Sequence, residues 1–240
     1  MIYGIFSYFY DFMMRDIPYD EWEKYLMQLF YRFGVRPCGD ITELGCGTGN
    51  MTGRLSFDGF NMTGIDNSAG MLDIARRKAC ENDISYILDD MRSFKTRNKQ
   101  DAVLCVCDGM NYMRSVADMT AVMKASAEAL KDGGVFIFDL KTEYFFKHSL
   151  DGKKYRGKYG NSECVWTNEY DDADRTHHYR LEFFREGRRL GSEEHLQHVF
   201  TAAEIMAAAK AAGFKHAAAY EAFGFSKPRR TSERIYIICG

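Results

Sequence analysis

The stretch Ile41-Thr42-Glu43-Leu44-Gly45-Cys46-Gly47-Thr48-Gly49-Asn50 decides the fold. It reads as a short buried strand that runs into a tight glycine turn and then opens a helix. Gly45 and Gly47 reach backbone conformations closed to other residues and add no bulk, so a ligand can approach the main chain. The following helix turns its free N–H groups and the positive end of its dipole into the same crevice. In an open α/β sheet that crevice, outside the carboxyl ends of the strands, is where nucleotides bind. The dinucleotide pattern G-x-G-x-x-G, counted from Gly45, puts Gly47 in place but sets its third position on Asn50, with Gly49 one residue early. No G-x-x-x-x-G-K-[ST] phosphate loop occurs either. An acid at Glu43 and no phosphate-binding lysine suit a ligand with an amino-acid end rather than a pyrophosphate.

Outward from this loop the chain alternates strand and helix. Strand 1 is expected over 40–44 and strand 2 over 60–65, ending in Gly64-Ile65-Asp66-Asn67-Ser68. Asp66 falls about 20 residues past the glycine turn, where an acid accepts from both ribose hydroxyls of a nucleoside. Ser68 is suited to cap the next helix, 69–82, whose Met71, Leu72 and Ala75 face inwards. Strand 3, 84–88, delivers Asp89-Asp90-Met91. The apolar run 101–107, D-A-V-L-C-V-C, has the mark of a central parallel strand buried on both faces. It brings Asp108, Asn111 and Tyr112 to the crevice. A helix over 116–131, stopped by Asp132-Gly133-Gly134, leads to strand 5 at 135–138, ending in Asp139.

The flanks differ. Residues 1–14, MIYGIFSYFYDFMM, carry six aromatics, and Trp22, Leu26, Leu29, Phe30 and Phe33 mark an amphipathic helix over 19–33 that ends at Gly34. The aromatic start reads either as packing over the core or as a lid whose Tyr3 and Tyr10 reach a ligand. Residues 141–160 are polar and basic at Lys153, Lys154, Arg156 and Lys158. Strands are expected at 164–170, 177–185 and 189–199, joined as antiparallel hairpins. Thr201 caps an alanine-rich helix, 202–212, closed by Gly213, and 214–223 and 233–239 form a last hairpin.

The run E-L-G-C-G-T-G-N resembles motif I of the class I S-adenosylmethionine (SAM)-dependent methyltransferases, and L-K-D-G-G-V-F-I-F-D continues the likeness. The ends, Y-x-x-F-S-x-x-Y-D-x-x-M, W-T-N-E-Y and E-E-H-x-x-H, are similar to a bacterial group of small-molecule N-methyltransferases, some acting on amino sugars. The resemblance implies a Rossmann-like, doubly wound α/β fold. Its seven-stranded, mostly parallel sheet has the order 3-2-1-4-5-7-6, with an antiparallel β insert after strand 5. The implied division is an N-terminal lid and helix (1–34), a SAM-binding core (35–140 and 200–240) and a substrate-side cap (141–199). Gly45 and Gly47, with Cys46 between them, would hold the methionine portion, Glu43 would face its amino group and Tyr10 would close over it. Asp66 would bind the ribose, with Asn67 beside it and Met71 under the adenine, whose edge would meet Asp90 and Met91. Cys107 and Asp108 would border the sulfonium and methyl, S-adenosylhomocysteine being the product.

Methyl transfer from a sulfonium is an in-line displacement that needs chiefly placement, and a base only if the nucleophile arrives protonated. Asp108, His195 and His198 are the candidates, with Asn111, Tyr112 and Trp166 on the substrate side. Trp166, Tyr170, Phe183 and Phe184 read equally as pocket wall or as packing. On a strand His195 and His198 point to opposite faces, so a shared metal is not expected. His177-His178 reads as an exposed pair near a turn.

Composition narrows the function. Apolar content of 46% and charge of 28% are those of a globular chain of one large domain or a core with an insert. A net charge of −2 gives no general attraction to nucleic acid or anionic membrane. No apolar run approaches the roughly 18 residues of a membrane span, and the N-terminus does not read as a signal peptide. Seven cysteines without a C-x-x-C pair suggest reduced, cytoplasmic thiols. The expectation is SAM-dependent methyl transfer to an amine or hydroxyl of a small molecule, by a monomer or homodimer with no membrane partner and no resident metal. RNA methylation and non-catalytic SAM binding are the alternatives. The absence of N-P-P-[YF] after strand 4, where Cys107-Asp108-Gly109-Met110 stands, counts against nucleic acid.

Overall fold

The computed structural model describes residue 4, residues 6–79 and residues 83–240; Tyr3 and Cys80 lie outside the described residues. Hydrophobic strands build a seven-stranded sheet in which β1 (Asp40–Leu44), β2 (Asn61–Asp66), β3 (Ser85–Leu88), β4 (Gln100–Cys105) and β5 (Leu130–Lys141) run parallel. The hairpin β10 (Ala217–Glu221) and β11 (Arg234–Cys239) closes one edge antiparallel to β5. The order is β3-β2-β1-β4-β5-β11-β10. This matches the doubly wound order expected from the sequence. It puts the carboxyl ends of β1, β4 and β2 at one rim.

Helices cover both faces. α2 (Tyr19–Phe33) buries Trp22, Tyr25, Leu26, Leu29 and Phe30. They lie with α3 (Asn50–Phe57) against Ile41, Leu104 and Ile137. Each such burial contributes roughly 1.5–3 kcal/mol. α4 (Ala69–Lys78) is capped by the Ser68 hydroxyl, which accepts from the Met71 amide at 3.3 Å. On the other face α5 (Val116–Ala129) and α7 (Ala202–Ala211) pack on Val103, Phe136 and Ile237. Thr201 and Glu204 form a full capping box on α7.

α5 ends two residues earlier than expected. Leu130 is already extended, with φ −75° and ψ 149°, and pairs with Gln100. Gly133, at φ 78°, turns the chain after the helix has ended rather than stopping it.

After β5 the chain makes α6 (Glu143–Phe145) and one π-turn (Phe146–Leu150) and enters a four-stranded antiparallel sheet. It comprises β6 (Lys154–Tyr159), β7 (Ser162–Asp171), β8 (Thr176–Arg185) and β9 (Arg188–His198), in that order. β6, which falls in the polar stretch 141–160 where no strand was expected, is its outer strand. The short helix α1 (Ser7–Met13) packs here, its Phe9 stacked 5.0 Å from the Phe183 ring, with Phe6, Cys164 and Leu181 in the same cluster. So α2 belongs to the main sheet and α1 to the insert. Among the described residues no helix is long and apolar enough to cross a membrane.

Candidate functional site

The crevice opens at the carboxyl rim and has a volume of about 600 Å³. Tyr10, Gly45, Gly47, Asp66, Asn67, Met71, Asp90, Met91 and Cys107 all line it, as do Tyr112 and His195. Asp66 stands at the end of β2 with both oxygens engaged. The Gly47 amide donates to Oδ2 and the Ser68 amide to Oδ1, each at 2.8 Å. Burial raises its carboxyl above the usual range, and these amide bonds oppose the rise. Asp90 is clasped by the guanidinium of Arg92, with Nε donating to both carboxylate oxygens at 3.0 and 3.1 Å. That bond holds its carboxyl below the usual range.

Glu43 and Cys46 do not face the crevice. Glu43 is 3% exposed and lies under α3, where the Thr52 hydroxyl donates to it. Cys46 turns into the sheet, against the spot a side chain on Gly64 would fill. Strand alternation turns Glu43 toward α3, and Cys46 lies in the turn just past β1, so the loop's backbone, not these side chains, reaches the ligand side.

The substrate-side expectations divide in the same way. Asn111 is fully buried as a splice between elements. It accepts from the Lys141 amide at 2.9 Å and donates to the Lys141 and His198 carbonyls at 3.1 and 2.9 Å. Trp166 packs on Tyr155 and Tyr179 in the insert and does not line the crevice. His198 is also outside the lining, on the opposite face from His195. The 177–178 pair is split. His178 is exposed at the crevice, whereas His177 is 0% exposed, its Nε2 hydrogen-bonded to Asn168 Oδ1 at 3.1 Å.

Asp108 is unsuited to act as a base. It lies beneath the lining, paired at 3.0 Å with both Arg234 and Lys141 and accepting from Gln197 Nε2 at 2.8 Å. Burial raises its carboxyl, but the two cations outweigh that and hold it below the usual range. Arg234 also pairs with the fully buried Asp139. This network steadies a strained turn in which Cys107 (φ 64°) and Asp108 (φ 57°) are both left-handed. Such conformations cost about 1–3 kcal/mol each and persist where the surroundings over-determine them.

His195 remains. Its Nδ1 meets the Tyr112 hydroxyl at 3.1 Å, its ring stacks on Tyr179 at 4.5 Å, and Tyr112 also bonds the Tyr179 hydroxyl. Asp11 was not foreseen. From α1 it accepts from Thr48 Oγ1 at 2.6 Å, Asn50 Nδ2 at 3.0 Å and Lys78 Nζ at 2.9 Å, fastening α1 to the glycine loop. Its position in the run Y10-D11 carried no signal for partners more than 35 residues away.

The glycine turn suits SAM. Gly45, Gly47 and Gly49 all have positive φ, and the space a side chain on Gly47 would occupy is open to the crevice. Carboxylates stand on the wall above, and the volume accommodates a nucleoside with an amino-acid arm.

A methyltransferase domain family matches residues 41–134. A protein of Geobacillus sp. (strain WCH70), provisionally named a methyltransferase, is 26% identical over 99% of both chains. The crystal structure of a SAM-dependent methyltransferase from Clostridium acetobutylicum ATCC 824 shares the fold. It superposes with a TM-score of 0.83 at 24% identity, covering 100% of this chain and 98% of that one. A SAM-bound amino pentose methyltransferase from Micromonospora echinaspora superposes at 0.75 and 20% identity, over 100% and 98%. Domain match, full-length relative and fold agree in supporting a class I SAM-dependent methyltransferase, the group this chain is similar to.

Proposed function

We propose that the enzyme methylates an amine or hydroxyl of a small molecule, and that the insert, 141–199, with α1 forms the cap over that acceptor. One observation carries the reading: His195 and Tyr112, hydrogen-bonded to each other, line the same crevice as the glycine turn and Asp66. A chamber of about 600 Å³ has room for a cofactor and a compact acceptor, not for a folded macromolecule.

In this reading the Gly45 and Gly47 backbone holds the methionine arm, Asp66 the ribose, and Asp90 with the Met91 amide the adenine edge. Met71 lies beneath the base and Tyr10 closes the arm. When bound, SAM supplies the electrophilic methyl. The protein's part is to align the acceptor atom and take its proton. Tyr112 accepts that proton on its oxygen while passing its own to His195 Nδ1, so the charge ends on the imidazole.

The test is a metabolite extract incubated with tritiated SAM and either wild-type enzyme or His195→Gln. The expected result is label in a low-mass product, reduced roughly 100-fold in the variant. Label confined to RNA, or equal label from both proteins, overturns the reading.

A further inference from the structure

We propose that Glu193 is a positioning residue that links the seating of α1 to the orientation of His195. The inference rests on the reading of His195 as proton acceptor. Glu193 and His195 are two apart on β9 and so share the inward face. The Glu193 side chain is only 7% exposed. Its oxygens have different partners. Oε1 accepts from the Phe6 amide at 2.8 Å, at the start of α1, and Oε2 stands 3.7 Å from His195 Nε2. The Phe6 ring meets the His195 ring edge-on at 5.8 Å. A single buried carboxylate therefore touches both the cap helix and the histidine.

The consequence is chemical. The Glu193 carboxylate, 3.7 Å from Nε2 and so beyond hydrogen-bond reach, favours by its charge the tautomer carrying hydrogen on Nε2. Nδ1 is then left to accept from Tyr112. When α1 lifts, Phe6 no longer fixes the carboxylate, the histidine loses its orienting partner and Tyr112 its acceptor. The proton path is then complete only with α1 seated. At the far end of α1, Asp11 bonds Thr48 and Asn50 beside the glycine turn. Seating therefore also registers the cofactor side of the crevice.

The experiment uses the full chain with S-adenosylhomocysteine and reads two signals. One is amide exchange in α1, and the other is the ring-nitrogen NMR shifts of His195, assigned by their loss in His195→Gln. Glu193→Ala removes both contacts; it is expected to speed exchange in α1 at least tenfold and to change the His195 nitrogen shifts. Glu193→Gln keeps an oxygen for the Phe6 amide but removes the charge. It is expected to keep α1 protected within about threefold while still moving the His195 shifts. Unchanged His195 shifts in both variants overturn the link, as does unchanged exchange in Glu193→Ala. The proton role fails separately, if His195→Gln transfers methyl groups as fast as wild type while both Glu193 variants behave as expected.

Discussion

A carboxyl sealed beneath a helix resists ionisation, and Glu43 is such a group. Burial is the main cause that pushes it up to about 7, against the pull of the Thr52 hydroxyl. Its pKa is therefore higher in the folded chain than in the unfolded one, where it is near 4.5. The stabilisation is complete below pH about 4.5 and is lost as pH rises through about 7, a change of about 3 kcal/mol. His177 tilts the other way. Burial is the main cause that lowers it to about 4, so its contribution is lost as pH falls from about 6.5 toward 4. Comparing wild type with Glu43→Gln isolates the first group. The variant should gain about 2–3 kcal/mol over wild type between pH 5 and pH 8, read as urea midpoints. An unchanged difference would mean that Glu43 is charged throughout. Asp66 makes a second residue-scale prediction: Asp66→Ala should weaken S-adenosylhomocysteine binding by about 2–3 kcal/mol in calorimetry, the worth of charge-assisted hydrogen bonds.

At the scale of elements, the turn opening α3 depends on Gly49. Its φ is 75°, and a Cβ there would lie 2.4 Å from the Tyr86 hydroxyl. Gly49→Ala combines backbone strain with overpacking and should cost about 3 kcal/mol, seen as a lower thermal midpoint. This turn was legible in the sequence because local rules govern it: strand, glycine, glycine, helix. The buried strand β4 was legible as an apolar run, and β1, D-I-T-E-L, through the glycine turn it runs into. β6 was not, because it is an exposed outer strand and shows no apolar alternation. Asp66, Met71 and Asp90 were found by spacing and resemblance, and all three line the crevice. The partners of Asp108 were not found, since Arg234 is 126 residues away and Gln197 89. Nothing local in 107–110 separates an ion-paired buried carboxylate from a reactive one.

Across the whole molecule, the main sheet and the insert meet where β4, β5 and β9 end. Charge holds one part of that junction. Arg234 bridges Asp108 and Asp139, while Gln197 of β9 reaches Asp108 from the insert. Arg234→Met would leave two buried carboxylates with Lys141 as the remaining cation at Asp108, and should cost about 3–5 kcal/mol in chemical denaturation.

Asn111 holds the other part with neutral bonds. Its amide satisfies the Lys141 backbone in both directions and the His198 carbonyl, so one side chain ties the end of β5 to the end of β9. Truncation would leave those half-buried backbone groups without this partner, at up to about 1–3 kcal/mol for each orphaned group. The loss should not be uniform, because the insert depends on this splice more than the seven-stranded sheet does. In Asn111→Ala, amide exchange in β8 and β9 should accelerate at least tenfold relative to β1 and β4. The crevice, which takes His178, Glu194, His195 and Leu196 from the insert and most of its lining from the core, should then lose affinity for an acceptor before it loses affinity for S-adenosylhomocysteine. Equal acceleration in both sheets would show instead that core and insert unfold as one unit.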